Sequence, residues 1–317
     1  MKLRAIYDLA IEVGIEYDPR GDEEIQKLLN KKKEAYEGLK EEEKEFFDIE
    51  ALDNPYSDTR ILAGDPEMEV YGLLAGIDIE AQEVVIADRL REKGKHVNLL
   101  LAHHPEGRAL AGLADVMGMQ ADIWAKLGVP INIGDVLIDE RMAEVRRSLM
   151  PINHNRAVDA AKLLGIAFMN CHTPCDNLVN DFVQRYLDEK APDTVGDIVK
   201  VLREIPEYKA AALDKVGPTI LVGDASKRPG KIVVDMTGGT EGPEGAIEKL
   251  AEAGVGTIVG MHLGEKLRKK ASESRMNVVI AGHIASDAIG MNLFLDKLAA
   301  NGVGILTTSG LVRVGRS

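Results

Sequence analysis

From residue 70 onward, short runs of apolar residues alternate with longer stretches of helical periodicity, and this alternation constrains the fold more than any other feature of the chain. Residues 70–77, 97–102, 166–171, 219–222, 231–236, 257–261, 277–281 and 304–307 are rich in Val, Ile and Leu and read as strands. Helical periods occupy 80–92, 110–127, 138–149, 156–164, 245–252, 264–274 and 285–298. Apolar strands separated by helices predict an α/β architecture with largely buried sheets, and in such sheets sites form at the carboxyl ends of strands. A length of 317 residues allows two domains or one large α/β unit. The pattern weakens around 189–217, where Ala191-Pro192-Asp193 and Ile205-Pro206-Glu207 interrupt it, and a division between two α/β halves is placed there.

Ahead of this pattern, residues 21–50 carry eleven acidic and six basic residues, yet Ile25, Leu28, Leu29, Tyr36 and Leu39 recur at helical spacing. That predicts a charged amphipathic helix, extended over 40–47, with a narrow packing stripe and a solvated face. The turn-forming Asn54-Pro55-Tyr56-Ser57-Asp58 closes it. The expected organisation is thus a helical arm over 1–55, a first α/β domain over 56–190 and a second over 191–317, with C-terminal elements able to pack back on the first.

Charge and composition exclude several classes. A net charge of −13 argues against general nucleic-acid binding, which needs clustered Lys and Arg to neutralise phosphates. No stretch approaches the length and apolarity of a membrane span, and Asp8, Glu12 and Glu16 interrupt the first apolar stretch, which leaves no signal-peptide core. The two cysteines, Cys171 and Cys175, form neither a disulfide framework nor a Cys-x-x-Cys motif, and a partly buried structural role outweighs soft metal ligation. A cytoplasmic protein is expected.

Three predicted strand ends carry potential metal ligands. Leu99-Leu100-Leu101-Ala102 runs into His103-His104-Pro105. The run 166–171 ends in His172-Thr173-Pro174-Cys175-Asp176, and the run 277–281 in Gly282-His283-Ile284-Ala285-Ser286-Asp287. Each delivers imidazole, and in two cases a carboxylate four residues later, to one end of a buried strand. Neutral imidazole suits Zn, Fe, Ni and Mn, while a carboxylate can bridge two ions and offset part of their charge. Adjacent histidines on an extended segment point to opposite sides, so His103 and His104 can serve two ions. His283 and Asp287 share a face if a helix begins near Ile284. Four of the seven histidines fall on these ends. A lone strand-end histidine is usually a satisfied polar residue, but this concurrence favours metal. His96, His154 and His262 lack such a context and are read as structural. Between the runs 231–236 and 245–252, Thr237-Gly238-Gly239-Thr240 allows backbone N–H groups to approach an anion at a helix start, although a turn needing positive φ explains Gly238 and Gly239 equally well.

Leu-Ala-His-His-Pro at 101–105, His-Thr-x-x-Asp at 172–176 and Gly-His-x-x-Ser-Asp at 282–287 together resemble, in order, the motifs of the NIF-three-like superfamily, whose members are often described as GTP cyclohydrolase type-two homologues. The resemblance spans about residues 70–317. It implies two α/β domains of related topology, with central sheets flanked by helices, and ring-like homo-oligomers, commonly hexamers. It also implies a dinuclear centre of divalent ions (Zn, Fe, Mn or Ni) held by His103, His104, Asp176, His283 and Asp287, with His172 beside the cluster as a proton-moving group and Ser286 as an orienting hydroxyl. The loop at Gly238 and Gly239 would border the metal cleft. The family's last ligand is normally Glu, so the shorter Asp287 implies that one ion is weaker, bound through water or absent. The long segment 106–171 and the charged arm imply a subgroup with altered substrate access or assembly. The expected function is metal-dependent hydrolysis of a small, phosphorylated or nucleotide-like substrate, the alternative being a non-enzymatic metal-binding or assembly scaffold.

Overall fold

A strand buried on both faces can satisfy its backbone only in a ladder, and the Val, Ile and Leu runs do so here. The computed structural model describes residues 1–316. Its strands, in chain order, are β1 (Arg60–Ala63), β2 (Gly72–Gly76), β3 (Leu99–Ala102), β4 (Ala167–Asn170), β5 (Thr219–Val222), β6 (Lys231–Asp235), β7 (Val255–Gly260), β8 (Asn277–Ile280) and β9 (Gly304–Thr308). One sheet has the order β1-β4-β3-β2-β9 and the other β5-β8-β7-β6. Both follow a single plan. In each, the first strand is an edge strand antiparallel to the fourth, and the fourth, third and second run parallel. A register shift even interrupts the antiparallel pair at matching places, Ile61/Ala63 and Ile220/Val222. The two α/β units of related topology are thus present, and β9 adds in parallel to the outer side of β2.

Side chains alternate across each sheet with the two-residue period of a strand. Leu73, Ala75, Leu99 and Leu101 enter one core, while Leu74 and Leu100 enter another beneath the helices Ala81–Glu92 and Arg156–Leu163. The helices Thr173–Lys190 and His283–Ala300 follow β4 and β8 directly and lie between the two sheets. Their Cys175, Leu178, Met291 and Leu295 pack on the first sheet, and their Val179, Val183 and Ile289 on Val234, Val259 and Val279 of the second. The two helix backbones touch where they cross. A Cβ on the buried Gly290 would lie 2.2 Å from the carbonyl oxygen of Cys175.

Several elements differ from expectation, each for a local reason. The helix expected over 110–127 is three pieces, Gly107–Ala111, Leu113–Val116 and Met119–Leu127, broken around Gly112 and Gly118. The helix Asp22–Glu37 stops at Gly38 and does not run on to residue 47; it buries only Ile25 and Leu29. Residues 189–217, where the pattern weakens, carry two short helices. Thr194 caps the helix Val195–Leu202, and Pro206, with no N–H to lose, begins Pro206–Leu213. Strand β1 went unanticipated because it is short and opens on a fully buried arginine, Arg60. The helix Leu3–Glu16 inserts Leu3, Ile6, Ala10 and Val13 into the core of the first sheet. No helix among the described residues is long and apolar enough to cross a membrane.

The crossing yields a test. Gly290→Val places a branched side chain against immovable backbone, and urea unfolding should show a loss of about 3 kcal/mol. Gly118→Ala, where the new methyl meets nothing nearer than Met142 Sδ at 4.0 Å, should leave stability unchanged or slightly raised.

Candidate metal centre

The residues that follow the parallel strands of the two sheets meet between the units. The ladder of β3 continues past its end, since the His103 and His104 N–H groups donate to the carbonyls of Gly76 and Ile77. This fixes two successive imidazoles at the lip of the sheet. His172 is the residue that caps the helix after β4, so Asp176 stands one turn in. Gly282 turns from β8 into the second long helix. Its φ of +117° is unfavourable for any side chain, and a Cβ there would lie 2.8 Å from the Val216 carbonyl oxygen, so only glycine fits. The helix begins at His283, and Asp287 again stands one turn in. Because the helices cross near these starts, the two carboxylates face each other beside the histidine pair.

The distances define the cluster. His103 Nε2 lies 3.4 Å from Asp176 Oδ1 and 3.5 Å from Asp287 Oδ1. His104 Nε2 lies 3.4 Å, and His283 Nε2 3.5 Å, from Asp287 Oδ2. His172 Nε2 is 3.7 Å from Asp176 Oδ2. Ligand atoms converge in overlapping groups, His103 with Asp176 and Asp287, His104 with His283 and Asp287, and His103 with His104 and His172. Asp287, despite its shorter stem, is 1% exposed and shared by the first two groups.

Each imidazole is oriented from behind. His103 Nδ1–H donates to the Cys171 carbonyl (3.2 Å), His104 Nδ1–H to Asp78 (2.6 Å) and His172 Nδ1–H to Asp58 (2.8 Å). Asp58 is fully buried and also accepts from the Thr173 hydroxyl at 2.6 Å. With these three Nδ1 atoms engaged, the corresponding Nε2 atoms present their lone pairs to the centre. His103 Nε2, Asp176 Oδ1 and both Asp287 oxygens are buried without a hydrogen-bond partner. Leaving a buried polar group unpaired costs about 1–3 kcal/mol, and more for a charge. Four such atoms converging, all of them nitrogen or carboxylate donors, fit a divalent cation of the Zn, Mn, Fe or Ni type.

Without an ion, protons on the imidazoles balance the buried carboxylates. Burial disfavours the ionised form of Asp287, but the neighbouring His103 and His104 outweigh it and hold its carboxyl well below the usual range. Burial likewise opposes charge on His103, yet Asp287 and Asp176 raise its pKa well above the ordinary value. In His104 the same opposition is overcome by Asp287 and Asp78, and its pKa reaches about 8. His283 shifts down, chiefly through burial.

The remaining candidates are placed as follows. The Ser286 hydroxyl donates to the Gly282 carbonyl (2.7 Å) and shares a hydrogen bond with Tyr208, so it braces the helix start. Gly238 and Gly239 adopt φ of +101° and +82° and pack closely on Gln120 and on Val116 and Met117, while the Gln120 side-chain amide donates to the Gly238 and Thr240 carbonyls. Gly239 also lines a cavity that opens beside the ligands. Cys171 and Cys175 are free and wholly buried, their sulfurs 3.5 Å apart. His96 is exposed, and the carbonyl of His154 accepts from Gly107 N–H. His262, read as structural, stands beside the centre with its ring 4.8 Å from that of His283 and its Nδ1 3.7 Å from Glu241. It follows the end of β7 on the same plan as the other histidines, which is the feature that marks it. Asp78, just past β2, shares that feature, whereas Asp58 lies in a turn before an unanticipated strand and carries no such mark.

No protein-family model matches the chain, and no curated protein matches it. Solved structures do. The NIF3 superfamily protein from Sphaerobacter thermophilus superposes with a TM-score of 0.71 at 25% identity, over 80% of this chain and 92% of that one. Reduced HcgD from Methanocaldococcus jannaschii shares the fold at a TM-score of 0.50 and 16% identity, over 78% and 87% of the two chains. With its paired α/β units, the chain has a NIF3-like fold and is similar, as a divergent relative, to the NIF3 superfamily protein.

Proposed function

We propose that the protein is a dinuclear metal-dependent hydrolase acting on a small substrate. The observation that carries this reading is the set of buried, unpartnered donor atoms on His103, Asp176 and Asp287, with His104 and His283 completing two overlapping groups around a shared carboxylate. In this reading His103, His104, Asp176, His283 and Asp287 hold the ions. Bound divalent ions would supply Lewis acidity and a water acidified toward neutrality. The chain's own part is positional. Asp58 holds His172 in one tautomer with Nε2 toward the centre, where it can take up and return a proton. Asp78 does the same for the orientation of His104.

The cavity beside the ligands favours an enzyme over a storage or scaffold protein, because a purely structural site is closed by its own ligands. Gln120 and Trp124, on the helix Met119–Leu127 within the long segment 106–171, form part of its wall, which supports the idea that this segment shapes substrate access. A cytoplasmic homo-oligomer, closed into a ring as large as a hexamer, is part of the proposal. Apolar side chains at Leu213 and Val216, 78% and 67% exposed, and the open outer edge of β9 offer surfaces for it.

Three measurements test this reading. Elemental analysis after stripping and reloading with Zn or Mn should find about two ions per chain, and Asp176→Ala and Asp287→Asn should each lose most of one; unchanged content in both variants refutes the ligand set. Asp58→Asn, which keeps its shape but loses the charge behind His172, should lower turnover roughly 10- to 100-fold while circular dichroism stays native. Light scattering at micromolar concentration should give a mass well above that of one chain, and a monomer would rule out the ring.

A further inference from the structure

The cavity that opens beside the ligands constrains what the site can accept. It measures about 90 Å³ and extends from Asp176 and Asp287 to an apolar end formed by Trp124, Ile247 and Leu250. Asp235 at the end of β6, Glu241 and His262 form the polar wall between. No lysine or arginine lines it among the described residues. Arg141 comes near this wall, but it donates to the Glu241 carbonyl and to Glu144 and faces a separate surface groove.

The charges of the wall are unequal in their freedom. Glu241 accepts from the Gly264 N–H and lies against His262, which leaves it the better satisfied of the wall's carboxylates. Asp235 is exposed on this wall, forms no hydrogen bond or ion pair through its side chain among the described residues, and feels the charge of His262 only at a distance. Asp176 and Asp287 are buried, aimed at the same space, and carry oxygens with no partner. A phosphate entering the cavity finds no guanidinium or ammonium among its lining and meets carboxylates instead. A protonated amine, by contrast, meets an unpaired carboxylate and a nearby indole.

Size narrows the class further. A cavity of roughly 150 Å³ holds benzene, so this smaller space suits a group of about four or five heavy atoms. We propose that the site takes a compact substrate bearing a protonated amine and a short branched apolar group, the amine on Asp235 and the apolar group toward Trp124. The proposal rests on the hydrolase reading for the reaction, and it replaces the phosphorylated or nucleotide-like substrate with an amine-bearing one.

Trp124 is the only tryptophan in the chain, so its fluorescence reports directly on the cavity. Wild type and Asp235→Asn, metal-free and Mn-loaded, are titrated with isobutylamine, isobutanol and inorganic phosphate at neutral pH. Isobutylamine should bind wild type about tenfold more tightly than isobutanol whether or not metal is present, which excludes ligation to an ion as the cause. In the Mn-loaded protein, where Asp176 and Asp287 are engaged by the ions, the preference should disappear in Asp235→Asn, whose unliganded emission spectrum verifies its fold. Equal binding of amine and alcohol to wild type, or tighter binding of phosphate than of amine, overturns the proposal. Turnover separates it from the reading beneath it. Hydrolysis of 4-nitrophenyl phosphate without any amine preference keeps the hydrolase and overturns the amine site, whereas amine preference with no amide or ester hydrolysed upholds the amine site and counts against the hydrolase.

Discussion

The close crossing of the helices Thr173–Lys190 and His283–Ala300 is the constraint on which the rest of the structure depends. Gly290 allows one backbone to rest on the Cys175 carbonyl of the other, and the carboxylates Asp176 and Asp287 stand near that contact. Any residue larger than glycine would separate the helices and, with them, the two carboxylates that meet at His103. The same pair fills the space between the sheets, so one packing event builds both inner cores and the centre.

That arrangement carries a cost in the protein itself. Two carboxylates and an imidazole nitrogen are buried with unfilled hydrogen-bonding capacity, a feature that packing alone would eliminate. The surroundings are built to keep it. Asp58, Asp78 and the Cys171 carbonyl hold the Nδ1 sides of three histidines, and Arg60, itself buried, ties the turn that carries Asp58 through the carbonyls of Tyr56 and Thr59. Groups that sit unpaired at the focus are therefore supported on every other side, as expected where local stability is surrendered for binding.

Most strands and their helices were legible because burial on both faces leaves long Val, Ile and Leu runs that no solvent-exposed element would tolerate. Where the pattern failed, particular residues explain it. Arg60 disguised β1 as part of a turn, because a buried arginine paired with Asp48 looks in sequence like a surface charge. Gly112 and Gly118 broke a helix whose periodicity continues across them. His262 reads as structural because no carboxylate lies near it in the chain, but its partner, Glu241, arrives from the loop after the neighbouring strand β6.

The sequence by itself determined the α/β pattern and the placing of His103, His104, His172 and His283 at strand ends, because both follow from local periodicity and from residue order along a strand. The one-turn spacing of Asp176 and Asp287 from their helix starts was likewise set by chain order. Only the tertiary structure decided that these ends face one another, that Asp287 is shared among three histidines, and that Asp58 and Asp78 stand behind two of them. Those relations depend on how two sheets and two crossing helices pack, and packing joins residues that are more than a hundred positions apart, as with Asp58 and His172, where no local rule operates.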